Sequence, residues 1–539
     1  MTAHFDAPGM LLPDLLDSQA RWQGAKTALI CGEARRSWRE FGAAARQVAG
    51  ALRTSGITSG ERVVVLMSNG LEMVEAMFGT LRAGACVVPL NPSVADAAIA
   101  AMVKDSGATA VITVPAYAGR FDRAALPGVR LWVCVDAAIR SAGATRSTAG
   151  PHSSEAHWTD FAAWRDGCDP ARADAVAMEP IDPDAPCNII YSSGTTGLPK
   201  GIVHSHARRL EWARGLAVAL RYRGGAVAIV PIGLYSNISW ISLLCSILVG
   251  GSVVIEREFD AIDIFASIAK HRVSHASLVP VIVQRMLESP ALAGADLGSM
   301  RAIMCCGSPL ALPLKQRALA DFQCDFIELY GLTEGVITTL EPEEALPRLA
   351  SVGKPLPGTE IRILGEDGRE MPTGESGEIV SRGYITMLGY HNRADANVES
   401  SWVDERGQRW LRTGDIGRID AEGYLYVVDR KKDMIISGGQ NIYPADIEAV
   451  LATHGDIAEA AVIGVPSAKW GETPLAIVVA RTGAATDPTQ AEHLLSWVNG
   501  RVGRQQRLAG VRFVDALPRN PNGKILKREL RRTHGDALA

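Results

Sequence analysis

Residues 192–197 read Ser-Ser-Gly-Thr-Thr-Gly, and Lys200 follows three places on, within the stretch "YSSGTTGLPKG". Backbone N–H groups flanking Gly194 and Gly197 can come close to an anionic oxygen, because neither glycine carries a Cβ. Ser192, Ser193, Thr195 and Thr196 add hydroxyl donors, and Lys200 adds a positive charge. Taken alone the stretch could be a flexible polar turn, but its position directly after the apolar "CNII" favours a cradle for phosphate. It is not the usual nucleotide loop, in which the lysine is followed by a Ser or Thr that holds magnesium. Here Pro199 precedes the lysine and Gly201 follows it.

Four distant segments belong with it. "YGLTE" ends on Glu334 and follows the apolar "DFIEL"; "WLRTGDIG" sets Asp415 in a Gly turn; "DRKKDMIISGG" places Arg430 before a Gly-Gly pair; "PRNPNGKILKREL" presents Lys524 after an Asn-Gly turn. Alone, Asp415, Arg430 and Lys524 would pass for surface turn residues. In this order the five motifs closely resemble the adenylate-forming superfamily of acyl-CoA synthetases, peptide-synthetase adenylation domains and luciferases, over residues 61–529.

The resemblance implies an ATP site. It comprises the loop Ser192, Ser193, Gly194, Thr195, Thr196, Gly197 and Lys200 around the β- and γ-phosphates, the turn Gly307-Ser308-Pro309 with Tyr330 at the adenine, and Gly331 and Thr333 as further ATP contacts. Asp415 and Arg430 are implied at the ribose. Glu334, with Thr195, is implied at Mg²⁺, where a carboxylate steadying a hard cation against phosphate oxygens is sound coordination chemistry. Lys524 is implied as the catalytic lysine of adenylation, with Glu334 and Thr195 the other catalytic groups. Attack of a carboxylate on an α-phosphate brings anion against anion, so a cation there lowers the barrier. A thiolate then displaces AMP. The resemblance also implies rotation of a C-terminal domain about Lys432, a pantetheine tunnel at Gly438 and Gly439, and coenzyme A contacts from Trp470 and Arg507.

Two departures bear on specificity. "VPIGLYSNISW" puts Ser236 where relatives carry a histidine beside the adenylate, and Leu508 stands where many carry a proline. Tyr235, Ser236, Asn237, Cys306 and Gly307, with Trp240, then form a partly apolar acid pocket with a few hydroxyls and no acid to pair an ammonium. The expected function is an ATP-dependent carboxylic acid–CoA ligase for an aromatic or medium-chain organic acid. The alternative is a stand-alone adenylation enzyme that loads a carrier protein.

These residues need a scaffold. "ERVVVLMSNGLEMVEAMFGTLRAGACVVPLNP" reads strand–helix–strand, with Leu71, Val74, Met77, Phe78 and Leu81 at helical spacing, and the alternation recurs at residues 107–117, 226–236, 274–287 and 301–310. This predicts an α/β fold of mostly parallel sheets with ligands at the strands' carboxyl ends. After about residue 350 short strands and Gly turns predict a small β-barrel-like subdomain, followed by a smaller mobile α+β C-terminal domain. The expected boundaries are 1–429, a hinge at 430–433, and 434–539; residues 137–155 read as an exposed loop.

Composition narrows the classes. The 539 residues are 47% hydrophobic and 21% charged, with a net charge of −4, which offers nothing to nucleic acid or an anionic membrane. Nine cysteines are scattered with no C-x-x-C, as expected of reduced thiols in a cytoplasmic protein rather than a zinc site. The most apolar run, residues 240–255, is split by Gly250-Gly251 and is too short to span a bilayer. The N-terminus shows no secretion signal, and a homodimer is compatible with this reading.

Overall fold

A computed structural model describes residues 10–136, 158–177, 179–192, 199–437, 440–467, 469–520 and 523–535. Two large sheets form its centre. The β-branched run Arg62–Leu66 is fully buried beyond its first residue and pairs in parallel with both Cys86–Pro89 and Ala110–Thr113. Such a strand belongs in the middle of a parallel sheet covered on both faces. The sheet has 8 strands, and its far side is the antiparallel hairpin Pro186–Ser192 and Lys200–Ser205 with the short strand Gly389–Tyr390. Helix Leu71–Arg82 is buried at every position except Glu72, more completely than its single apolar stripe predicts.

The second sheet has 9 strands. Val227–Val230, Ser252–Ile255, His275–Leu278, Ala302–Cys305 and Asp325–Gly331 run parallel, and Ile337–Leu340 returns antiparallel. The apolar run resolves into helix Asn237–Val249, the left-handed Gly250 and strand Ser252–Ile255. Among the described residues no helix is long and apolar enough to cross a membrane.

Two smaller antiparallel-rich sheets follow. Thr359–Leu364, Gly377–Gly383, Arg409–Ile419, Ser401–Val403 and Leu425–Arg430 make a curled 5-stranded sheet. The last sheet, also of 5 strands, joins Ile435–Ser437, Gln440–Ile442, Ile457–Ser467, Gly471–Ala480 and Gly510–Phe513. Helices Pro444–Leu451 and Pro488–Asn499 cover one face of it around Ile447, Leu451, Leu494 and Val498. The loop expected at 137–155 lies outside the described residues.

Candidate active site

The strongest geometry is at Asp415. It lies opposite Arg430 in the ladder between Arg409–Ile419 and Leu425–Arg430, so two residues of the curled sheet meet side by side. Arg430 Nε sits 2.6 Å from Asp415 Oδ1, and Tyr330 donates its hydroxyl to Oδ2 at 2.7 Å. Asp415 is only 2% exposed. Its oxygens keep lone pairs beyond those two contacts, since a carboxylate offers about four acceptor positions. Burial, then the neighbouring Asp415 charge, holds the Tyr330 hydroxyl protonated well above its ordinary range.

Glu334 follows strand Asp325–Gly331 through Leu332 and Thr333. The turn is held tight at Gly335, where φ is +115° and a Cβ would lie 2.4 Å from the Ile385 carbonyl oxygen. Tyr390 donates its hydroxyl to Glu334 Oε1 at 3.0 Å. Burial pushes the Glu334 carboxyl up, and the Tyr390 hydroxyl and the Arg430 charge oppose that rise. The same tyrosine ring carries Lys200 Nζ 4.8 Å from its centroid. Ser192 and Lys200 are paired at the mouth of the hairpin, which fixes both ends of the loop between them. Ser193, Gly194, Thr195, Thr196 and Gly197 lie outside the described residues, as do Gly438 and Gly439.

Lys524 arrives from the C-terminal domain. Its N–H donates to Asn520 Oδ1 at 2.8 Å and its carbonyl accepts the Asn520 N–H at 2.9 Å. Gly523 turns the chain at φ +81°, where a Cβ would come 2.8 Å from Val281 Cγ1 of the 9-stranded sheet's domain. Burial, then the Arg430 and Lys432 charges, lowers the Lys524 ammonium from 10.5 to about 8, while Asp415 and Asp433 pull the other way. Lys524, Arg430, Asp415 and Glu334 therefore share one electrostatic neighbourhood.

A cavity of about 220 Å³ opens beside them. Tyr235, Ser236, Asn237 and Cys306 line it, and Asn520 lines it from the C-terminal side. Gly307, at φ +99°, does not line it; a Cβ there would press on Ile238 Cδ1 at 3.0 Å. Ser308 is half-buried and Pro309 exposed on the same turn. Trp240 is not a wall residue. It is fully buried with Nε1 bonded to the Leu234 carbonyl, and Trp212 supplies the indole face instead. Ser236 caps helix Asn237–Val249, so its hydroxyl is engaged at the Ile238 N–H. Gly331 and Thr333 also line the cavity.

The remaining expected residues sit apart. Lys432 occupies the turn between Leu425–Arg430 and Ile435–Ser437. Trp470 is 50% exposed at the tip of the hairpin joining Ile457–Ser467 to Gly471–Ala480, and Gly471 pairs with Ser437. Arg507 precedes strand Gly510–Phe513, and neither side chain lines the cavity. Leu508 uses its N–H to donate to Asn499 Oδ1 at 2.8 Å, a bond that a proline could not make.

Four contributors escaped the sequence reading. Tyr390 follows a strand-like run with no chemical signal. His204 bonds through Nε2 to the Thr333 carbonyl at 2.7 Å, and burial keeps its ring neutral. Arg208 Nη1 donates to the Met387 carbonyl at 2.5 Å, bracing the segment before Tyr390. Trp212 lies on helix His206–Ala219.

Comparisons with known proteins identify the family. Residues 16–391 match the model of the AMP-binding enzyme family, and residues 446–524 match that of the AMP-binding enzyme C-terminal domain. The chain is 33% identical to the long-chain-fatty-acid–CoA ligase FadD13 of Mycobacterium tuberculosis, covering 93% of each chain. It is also 33% identical to feruloyl-CoA synthase of an Amycolatopsis species, over 96% of this chain and 98% of that one. Among solved structures, o-succinylbenzoate CoA synthetase (MenE) from Bacillus subtilis with its acyl-adenylate superposes with a TM-score of 0.78 at 29% identity, covering 96% of this chain and 98% of that one. The chain belongs to the AMP-binding enzyme family and is an AMP-forming acid–thiol ligase of the adenylate-forming superfamily.

Proposed function

We propose that the chain joins an aromatic or medium-chain carboxylic acid to coenzyme A in two steps, consuming ATP and releasing pyrophosphate and then AMP. The observation that carries this is the placement of Lys524 in the field of Asp415 and Arg430, with Asn520 lining the adjoining cavity. In the first step a carboxylate oxygen attacks the α-phosphorus and the bond to pyrophosphate breaks. Lys524 offsets the negative charge gathering on the oxygens there. Asp415 accepts from the ribose hydroxyls, Arg430 steadies it, and Lys200 and the loop beyond it hold and release pyrophosphate. In the second step the thiolate attacks the acyl carbon and AMP departs.

Glu334 suits a magnesium ion shared with the triphosphate. Tyr390 secures its carboxylate at Oε1, and a protein that supplies only one or two carboxylates to Mg²⁺ relies on substrate phosphates for the rest. No group of three or more His, Cys, Asp or Glu stands ready to hold a metal among the described residues, in keeping with such a shared site. The bound ion would neutralise charge on the leaving pyrophosphate.

The cavity favours compact acids. Its volume of about 220 Å³ falls under the roughly 300–1,000 Å³ of sites for drug-sized ligands. Its walls are mainly apolar, with Trp212, Ile238, Ile241 and Met102 among them. Pyrophosphate release across a panel of aromatic, medium-chain and long-chain acids, with and without coenzyme A, tests the reading. Thioester formed with coenzyme A on aromatic or medium-chain acids is expected. Adenylation that yields thioester only with a carrier protein, or preference for long chains, would overturn it.

A further inference from the structure

Asp429 is the penultimate residue of strand Leu425–Arg430, next to the arginine that pairs with Asp415. Its Oδ1 accepts the Arg430 N–H at 2.6 Å. Its Oδ2 reaches across to the C-terminal domain and accepts the Ala445 N–H at 2.9 Å. Ala445 is the second residue of helix Pro444–Leu451, and the helix's own cap position, Tyr443, provides no side-chain acceptor. A helix start leaves its first N–H groups without internal partners, and a carboxylate there also opposes the positive end of the helix dipole. This cap therefore comes from outside the domain that it serves.

The capped helix leads on to the reaction centre. Glu448, one turn further along it, pairs with Lys527 Nζ at 2.7 Å, and its Oε1 also accepts the Val462 N–H at 2.7 Å. Lys527 opens helix Lys527–His534, three residues after Lys524. On that helix Lys527 is tied to Glu448, and Arg531 is tied to Asp433 at 2.9 Å. The path Asp429–Ala445–Glu448–Lys527 joins the strand that carries Arg430 to the turn that carries Lys524.

We propose that Asp429 is a positioning residue, a cap supplied by the large domain that docks the C-terminal domain in the orientation delivering Lys524 to Asp415 and Arg430. This rests on the two-step reading above together with the rotation of the C-terminal domain about Lys432 that the family resemblance implies. Asp429 lies before that hinge and Ala445 after it, so the rotation parts them. The cap serves adenylation and is released for thioester formation.

The test separates the half-reactions in the full-length enzyme. Loss of a capping acceptor weakens docking enough to slow single-turnover acyl-adenylate formation roughly tenfold in Asp429→Ala. Asp429→Asn keeps an acceptor oxygen and stays within about threefold of the parent. Both variants convert a supplied acyl-adenylate to thioester at the parental rate. Trypsin cuts after Lys431 and Lys432 faster in Asp429→Ala than in Asp429→Asn. Glu448→Gln, which weakens the next link, repeats the selective loss without touching the hinge strand. Equal loss in both half-reactions, equal damage from Asn and Ala, or unchanged adenylation in both Asp429→Ala and Glu448→Gln overturns the proposal. If the parent enzyme makes adenylate but no thioester, the coenzyme A reading fails while the adenylation and trypsin comparisons still decide the role of Asp429.

Discussion

Lys524 offers a test that separates charge from position. Its ammonium ordinarily loses its proton near 10.5, and in the folded protein it does so at about 8. That difference corresponds to about 3 kcal/mol against the charged form, burial being the largest cause and Arg430 and Lys432 adding to it. The sign follows directly. A folded value below the ordinary one means that the cation is fully present below about pH 8 and is lost as pH rises through it. If adenylation needs that cation, kcat/KM for ATP falls toward a tenfold loss per pH unit above about pH 8, because this parameter reports the free enzyme. Lys524→Arg carries a guanidinium that stays protonated, so its profile loses the alkaline limb at a reduced plateau. Lys524→Ala loses roughly a hundred- to thousandfold at all pH values in adenylation and nothing in thioester formation from a supplied adenylate. Single-turnover pyrophosphate release at limiting ATP provides the measurement. Asp415 pulls the Lys524 value upward, so Asp415→Asn shifts the limb toward lower pH. A flat parental profile, or an unchanged limb in Lys524→Arg, refutes the reasoning.

Three other perturbations bear on different parts of the molecule. Asp415→Ala removes the partner of both Arg430 and Tyr330; loss of two charge-assisted contacts of about 1.5–3 kcal/mol each predicts at least a tenfold rise in KM for ATP in steady-state kinetics. Ile238→Phe adds bulk at the cavity wall beside Gly307 and rejects larger aromatic acids by roughly tenfold or more relative to small ones, with KM for ATP unchanged, in competition assays over the acid panel. Lys315 is 1% exposed and pairs with Glu328, so Lys315→Met strands a largely buried carboxylate and costs about 3 kcal/mol by denaturant unfolding, whereas Lys315→Met with Glu328→Gln recovers much of it.

The sequence by itself determined the chemistry. A Ser/Thr/Gly loop with a lysine after one apolar strand, an acid shortly after another, an Asp in a Gly turn and a lysine after Asn-Gly are short-range patterns in which residue type and local spacing do the work. Their order along the chain identified the superfamily before any contact was visible. The strand–helix alternation likewise determined the α/β class, because burying one face of each element forces a hydrophobic period. Tertiary structure decided which residues complete the site. Trp212 and Trp240 each lie on a helix, and only the packing shows that Trp212 lines the cavity while Trp240 bonds behind it. Tyr390 meets Glu334 across 56 positions of sequence, because Gly389–Tyr390 pairs with Lys200–Ser205 as an edge strand. Asp415 meets Arg430 through register in an antiparallel ladder, where a shift of one residue would turn either side chain to the opposite face. Local patterns set what each segment can do; sheet pairing and domain docking set which groups face the same few cubic ångströms.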